Sequence, residues 1–290
     1  MFPASRRDVR VRRVALKNGL SLRLVEAGPA TGAPVLLLHG WGASVYMWRD
    51  WFAPLGAAGR RVLSVDLPGH GLSDKPDDSS TYTLAGMTDI VRELMDAEGV
   101  ASADVIAQSM AGTIAIELAT AHAARVNRLV LVNPACFGRV RLLSLGRLAS
   151  PPVVDRVLHR LVPRWLIART HRMVYGDPSL VTKRDEDEYW APTQFPEFAR
   201  AMRQLLHEFT WVRPPASEMA ARLSDLRQRM LVVLGSKDSL VRGAAAYVAE
   251  LQAAGFNSRV EIVDGGGHAV NEERPEEVLR AVHAFLHPSR

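Results

Sequence analysis

The sequence predicts an α/β fold: a doubly wound, mostly parallel sheet with a helical cap inserted after its sixth strand. Three observations carry this. Short, nearly continuous apolar runs recur along the 290 residues, as strands buried on both faces require. Stretches with helical spacing lie between several of them, which argues for βαβ units with right-handed crossovers. The alternation then stops between about residues 135 and 225 and afterwards resumes.

Residues 9 to 27 read as a hairpin. Val9, Val11 and Leu16 are spread through a basic strand, Asn18-Gly19 supplies a turn that accepts positive φ, and Leu20, Leu22 and Leu24 alternate with Ser21, Arg23 and Val25. One buried and one exposed face suit the antiparallel edge of a larger sheet, with the arginines as a solvated edge. Pro34-Val35-Leu36-Leu37-Leu38 is a fully buried strand that ends in His39-Gly40-Trp41-Gly42. Val62-Leu63-Ser64-Val65 is the next, followed by the turn-rich Asp66-Leu67-Pro68-Gly69-His70-Gly71-Leu72-Ser73-Asp74. Further strands are expected at 103–107, 129–132, 230–234 and 260–263, and helices at roughly 83–98, 110–122, 240–254 and 275–286. Residues 1–134 and 226–290 are thus expected to form the core, and 135–225 a helical cap. That segment is too long for a simple connection and is rich in proline. Its Trp165, Trp190 and Trp211 read as core of the cap in preference to a substrate wall, and its acidic run Asp185-Glu186-Asp187-Glu188 as a solvated helix face or loop.

Composition excludes several functions. The chain is 48% hydrophobic and 23% charged, ordinary for a globular protein. A net charge of +5, spread along the chain, lacks the concentrated basic face of a nucleic-acid binder. No apolar run is long enough for a membrane span. Ser5-Arg6-Arg7 is followed by Val9-Arg10-Val11-Arg12-Arg13 and no apolar stretch, so no signal peptide is expected. A single cysteine, Cys136, allows no internal disulfide, and a cytoplasmic location is the expectation. No histidine pairing or cysteine cluster points to a metal, and no glycine-rich phosphate loop precedes a helix, so no cofactor is implied.

Three polar sites stand out at strand ends. Ala107-Gln108-Ser109-Met110-Ala111-Gly112 runs from a buried strand straight into a helix. A serine on such a turn has a strained, exposed position, tolerated when small residues flank it two places away, here Ala107 and Ala111. Leu234-Gly235-Ser236-Lys237-Asp238 places an acid just past one strand, and Asp264-Gly265-Gly266-Gly267-His268 a histidine just past the next. Parallel α/β sheets bring such ends to one edge, where ligands bind.

With these motifs the chain resembles the α/β-hydrolase superfamily over nearly its whole length, in its cap-bearing serine hydrolase and esterase branch. The matching pieces are His39-Gly40-Trp41-Gly42, residues 66–74, residues 107–112, Gly235-Ser236-Lys237-Asp238, Gly267-His268 and Glu273-Arg274-Pro275. Ala107 and Ala111 stand where the usual pattern has glycine. Epoxide hydrolases and dehalogenases of that branch use an aspartate nucleophile, and Ser109 argues against both.

The resemblance implies acyl transfer. Ser109 would attack the carbonyl, His268 would act as base and then acid, and Asp238 would fix the imidazole tautomer. The backbone N–H groups of Trp41 and Met110 would form the oxyanion hole. Asp264 is the rival acid. Asn133 stands where some relatives carry the acid and is no carboxylate. His39, Asp66 and His70 read as loop organisers, and Cys136 as a small buried residue. The expected function is a serine hydrolase cleaving a small-molecule carboxylic ester. The alternatives are a carbon–carbon bond hydrolase, with Arg139, Arg147 or Arg169 holding a substrate carboxylate, or a non-catalytic ligand sensor. Substrate-binding residues and oligomeric state are not legible.

Overall fold

The computed structural model describes residues 1–4, 6–140, 162–224, 226, 230–256 and 258–287. Its strands are β1 (Val9–Ala15), β2 (Ser21–Ala27), β3 (Pro34–Leu38), β4 (Arg61–Val65), β5 (Ala103–Gln108), β6 (Val126–Val132), β7 (Arg139–Val140), β8 (Met230–Gly235), β9 (Val241–Arg242) and β10 (Arg259–Val263). Eight of them form one sheet in the order β1-β2-β4-β3-β5-β6-β8-β10. The pairings from β4 through β10 are parallel, and β1 and β2 run antiparallel at one edge. This is the α/β-hydrolase fold that the motifs imply. β7 and β9 make a separate two-residue antiparallel ladder that no sequence pattern marked.

Alternate residues of each parallel strand enter opposite faces of the sheet, as the pleat dictates. Leu36, Leu38, Val105, Ala107, Leu129, Leu131 and Val232 face one core. Val35, Leu37, Ile106, Val130, Val132, Leu231 and Val233 face the other. Of the helices in chain order, α1 (Phe52–Ala57) covers the second face, and α2 (Leu84–Ala97) and α3 (Met110–Ala121) the first. The start of α2 is fixed by Thr83, whose side chain accepts from the N–H of Gly86. Its Met87, Ile90, Val91 and Leu94 are buried at helical spacing.

Between β6 and β8 lie α4 (Arg164–Met173), α5 (Lys183–Trp190), α6 (Phe198–Glu208) and α7 (Ala216–Arg222). After β8 come α8 (Ala244–Ala253), α9 (Val270–Glu273) and α10 (Pro275–Leu286). Among the described residues no helix is long and apolar enough to cross a membrane.

Three expectations are corrected. β2 is buried along nearly its whole length instead of on one face, because it lies between β1 and β4. Its Arg23 is neutralised inside the protein by Asp66, at 3.1 Å. The acidic run is solvated only in part, with Asp187 exposed and Asp185 and Glu188 buried. Asp185 is 2% exposed, closes a capping box with Thr182 and is paired with Arg49. The tryptophans do not share one role, since Trp165 is 67% exposed and Trp211 is buried.

Candidate active site

The sheet delivers a serine, an acid and a histidine to one edge. Ser109 joins β5 to α3 with φ 53° and ψ −118°, a conformation costly for a residue with a Cβ. Its backbone is tied down on both sides. The Ser109 N–H donates to the Val132 carbonyl at 3.0 Å, and the Ser109 carbonyl accepts from Gly112 and Ala135 at 2.9 and 3.0 Å. Ala107 and Ala111 fit, both fully buried. Gly112 is tightly packed as well: an added Cβ there would lie 2.8 Å from the Pro134 ring.

Asp238 follows β8, and its Oδ1 accepts from the N–H groups of Leu240 and Val241 at 2.8 and 2.9 Å. Its Oδ2 accepts from His268 Nδ1 at 2.8 Å. That bond fixes the ring proton on Nδ1, so Nε2 accepts from the Ser109 hydroxyl at 2.9 Å. Asp264, the rival acid, is exposed and accepts from the Ser236 hydroxyl at 3.1 Å.

Ser109 and His268 open into a cavity of about 300 Å³. Trp41, Met47, Val140, Val174, Leu206, Trp211 and Leu240 give it mainly apolar walls. Trp41 is in the loop after β3. Gly40 beside it lies so close to the serine turn that a Cβ there would be 2.2 Å from Gln108 Oε1 and 3.0 Å from Ser109 Cβ. Met110 is the first residue of α3, so its N–H has no acceptor within that helix, and its side chain is buried in the core.

Residues 35–281 match the model of the alpha/beta hydrolase family. The chain belongs to that family. The dihydrolipoyllysine-residue acetyltransferase component of the acetoin cleaving system of Pseudomonas putida is 28% identical over 269 residues, 93% of this chain and 67% of that protein. A haloalkane dehalogenase of Psychrobacter cryohalolentis is 27% identical over 285 residues, 92% of this chain and 88% of its own. Among the curated relatives the matched share of the relative runs from 41% to 88%, so the chain spans less than two thirds of several of them. The carboxylesterase CesB of Bacillus subtilis superposes with a TM-score of 0.79 over 97% of this chain and 93% of its own. At 19% identity, that likeness speaks for the fold.

Three further residues of this hydrolase hold the site, and no motif pointed to their roles. Gln108 Nε2 and Asn133 Nδ2 both donate to the His268 carbonyl at 3.0 Å. Asn133 also donates to the Gly267 carbonyl at 3.0 Å and accepts from the Gly235 N–H at 2.9 Å. It does so from a positive φ of 43°. Glu273 accepts from Gly267, Gly176 and Asp177, linking the histidine loop to the segment after α4. The sequence shows Glu273 only as part of the Glu273-Arg274-Pro275 piece, which says nothing of its backbone partners.

One wall of the cavity is polar, with His171 and Glu272 buried and Tyr189 half-buried. His171, Tyr189 and Glu272 line it. Behind them Arg49 bridges Glu272 and Asp185, Tyr46 donates to Asp185 at 2.6 Å, and Tyr189 donates to Glu272. Burial works against the Arg49 charge, but Glu272, Tyr46 and Asp185 outweigh it and raise its pKa. Burial raises the Glu272 carboxyl, opposed by Arg49 and Tyr189. Burial lowers His171 to about 4, which keeps its ring neutral.

The loop organisers stay out of the cavity wall. His39 Nε2 accepts from the Leu67 N–H at 3.0 Å, Asp66 accepts from Val45 and Leu72 at 2.8 Å, and His70 is buried against His39. Burial pushes the Cys136 thiol up to about 11. Of the arginines expected for a carboxylate, Arg139 lines a different depression, Arg169 is exposed, and Arg147 lies outside the described residues. Among the described residues, no three His, Cys, Asp or Glu side chains gather as a metal site.

Proposed function

We propose that this hydrolase cleaves carboxylic esters of small molecules through an acyl-enzyme on Ser109. The observation that carries this is the unbroken hydrogen-bonded chain from Ser109 through His268 to Asp238, at 2.9 and 2.8 Å, facing an apolar cavity. A serine hydroxyl becomes a competent nucleophile when a neighbouring base takes its proton. His268 Nε2 is that base, and it returns the proton to the leaving alcohol. Asp238 keeps the ring in the required tautomer and stabilises the imidazolium. The N–H groups of Trp41 and Met110 receive the oxyanion, the second assisted by the N-terminal dipole of α3. Water then repeats the sequence on the acyl-enzyme, with His268 again as base.

The segment from 135 to 225 serves as the cap of this reading, with Trp211 and Leu206 from it in the cavity wall. An ester is favoured over a carbon–carbon substrate bearing a carboxylate, because no described arginine lines the cavity and Glu272 does. A pure sensor would need none of the three aligned groups. A cytoplasmic setting belongs to the same proposal.

The test is hydrolysis of p-nitrophenyl esters of graded chain length, with a fluorophosphonate as active-site label. Stoichiometric labelling and loss of both turnover and label in Ser109→Ala are expected. Wild-type turnover in folded Ser109→Ala would sink the assignment.

A further inference from the structure

We propose that His171 is a specificity-determining residue whose imidazole receives a hydroxyl group of the substrate. This rests on the ester reading and names a chemical feature of the ester. His171 is 5% exposed and lines the cavity that holds Ser109, yet among the described residues neither of its ring nitrogens has a hydrogen-bond partner. Buried polar atoms in proteins are nearly always satisfied, so this unmet pair, covered from solvent but beside the cavity, marks a place where a ligand group that enters the wall would bond.

The ring is held in place without using its nitrogens. It stacks on Tyr189 with centroids 3.9 Å apart and an interplanar angle of 28°, and meets Tyr175 edge-on at 5.0 Å. Tyr189 is itself anchored by its bond to Glu272. The charged groups around His171 are already engaged. Arg49 lies between Glu272 and Asp185, and Arg172 is paired with Glu186. A phenylalanine would fill the same space, so packing does not explain the imidazole.

The chemistry of the wall selects the ligand group. A neutral imidazole offers one donor and one acceptor, and a hydroxyl can answer either. A carboxylate would meet Glu272 in the same wall. An ammonium group would lose its hydration beside a carboxylate that Arg49 already neutralises. The substrate class is therefore an ester whose apolar part carries an uncharged hydroxyl.

The experiment measures binding of aliphatic methyl ketones of graded chain length, each with and without a terminal hydroxyl. They carry the carbonyl but no leaving group, so binding is read independently of turnover. The fluorescence of Trp41 and Trp211, both in the cavity wall, reports it. At one chain length the hydroxylated ketone is expected to bind about tenfold tighter, the size of one added hydrogen bond. His171→Phe should erase the gap and His171→Gln should keep part of it. With the corresponding hydroxylated p-nitrophenyl ester, His171→Phe should raise KM and leave kcat unchanged. Equal affinities at every length, a gap that survives His171→Phe, or tighter binding of an ammonium or carboxylate analogue would overturn the proposal. Absence of serine labelling would instead overturn the ester reading.

Discussion

His268 Nδ1 lies 2.8 Å from Asp238 Oδ2, although 30 residues separate the two and Asp264 is far nearer in the chain. The sheet explains the choice. Asp238 ends the turn after β8, and two backbone N–H groups aim its free oxygen at the ring. Asp264 turns outward to Ser236. Asp238→Asn is expected to lower kcat about 10⁴-fold, because an amide at that position favours the wrong tautomer. Asp264→Asn should stay within about threefold of wild type, since surface substitutions away from the site have small effects. Steady-state kinetics across pH on both variants decides the matter, and a larger loss in Asp264→Asn would reverse it.

Gln108 and Asn133 act on the histidine from behind, through its carbonyl. Asn133→Ala removes three hydrogen bonds of a fully buried side chain; it leaves the Gly267 carbonyl and the Gly235 N–H short of a partner and the His268 carbonyl with Gln108 alone. A loss of about 2–4 kcal/mol is expected from stranding such groups. Urea unfolding of wild type and variant measures it. Gln108→Ala leaves the His268 carbonyl with Asn133 alone, so a smaller stability loss with a clear fall in kcat is expected. Unchanged stability of Asn133→Ala would show that the loops are held by other means.

The contrast between these residues and the Ser109–His268–Asp238 chain shows what a sequence carries. Strands buried on both faces leave unbroken apolar runs, and chemistry at their ends leaves polar residues in a fixed order. Those signals survive without any tertiary information. A side-chain amide that bonds a backbone carbonyl on another loop leaves none, because any neighbouring strand could supply it. The burial of Asp185 is hidden in the sequence for a related reason. Four acids in a row read as solvated, and only the arrival of Arg49 and Tyr46 from the core makes one of them a buried partner. Arg23 and Asp66 repeat the lesson at the sheet edge. The wall formed by His171, Tyr189 and Glu272 joins α4, α5 and α9, and no spacing rule connects those elements.

Gly40 is expected to be intolerant of even one methyl group. A Cβ there meets Gln108 Oε1 at 2.2 Å and presses on Ser109 Cβ. The loop bearing the Trp41 N–H must then move away from the serine. Misplacement on the ångström scale costs about 10² in rate. Gly40→Ala should therefore lose about that factor in kcat with little change in KM for short esters. An activity equal to wild type would remove Trp41 from the proposed oxyanion hole.

The neutral state of His171 ties folding to pH. Its native pKa of about 4 lies below the unfolded value of 6.5, so between those limits the unfolded chain binds more protons than the native one. Stability from this group is complete above about 6.5 and falls as pH drops toward 4. At about 1.4 kcal/mol per unit, the loss is roughly 3 kcal/mol. His39 and His70, also lowered by burial, slope the same way. Glu272, raised by burial, slopes against them. Asp185 is lowered despite its burial, by Tyr46, Thr182 and Arg49, so its own loss comes below this window. Comparison of His171→Phe with wild type cancels these shared contributions. The variant should be the flatter of the two in urea midpoints between pH 6.5 and 4, and identical slopes would show that the imidazole is protonated in the native protein as readily as in the unfolded chain.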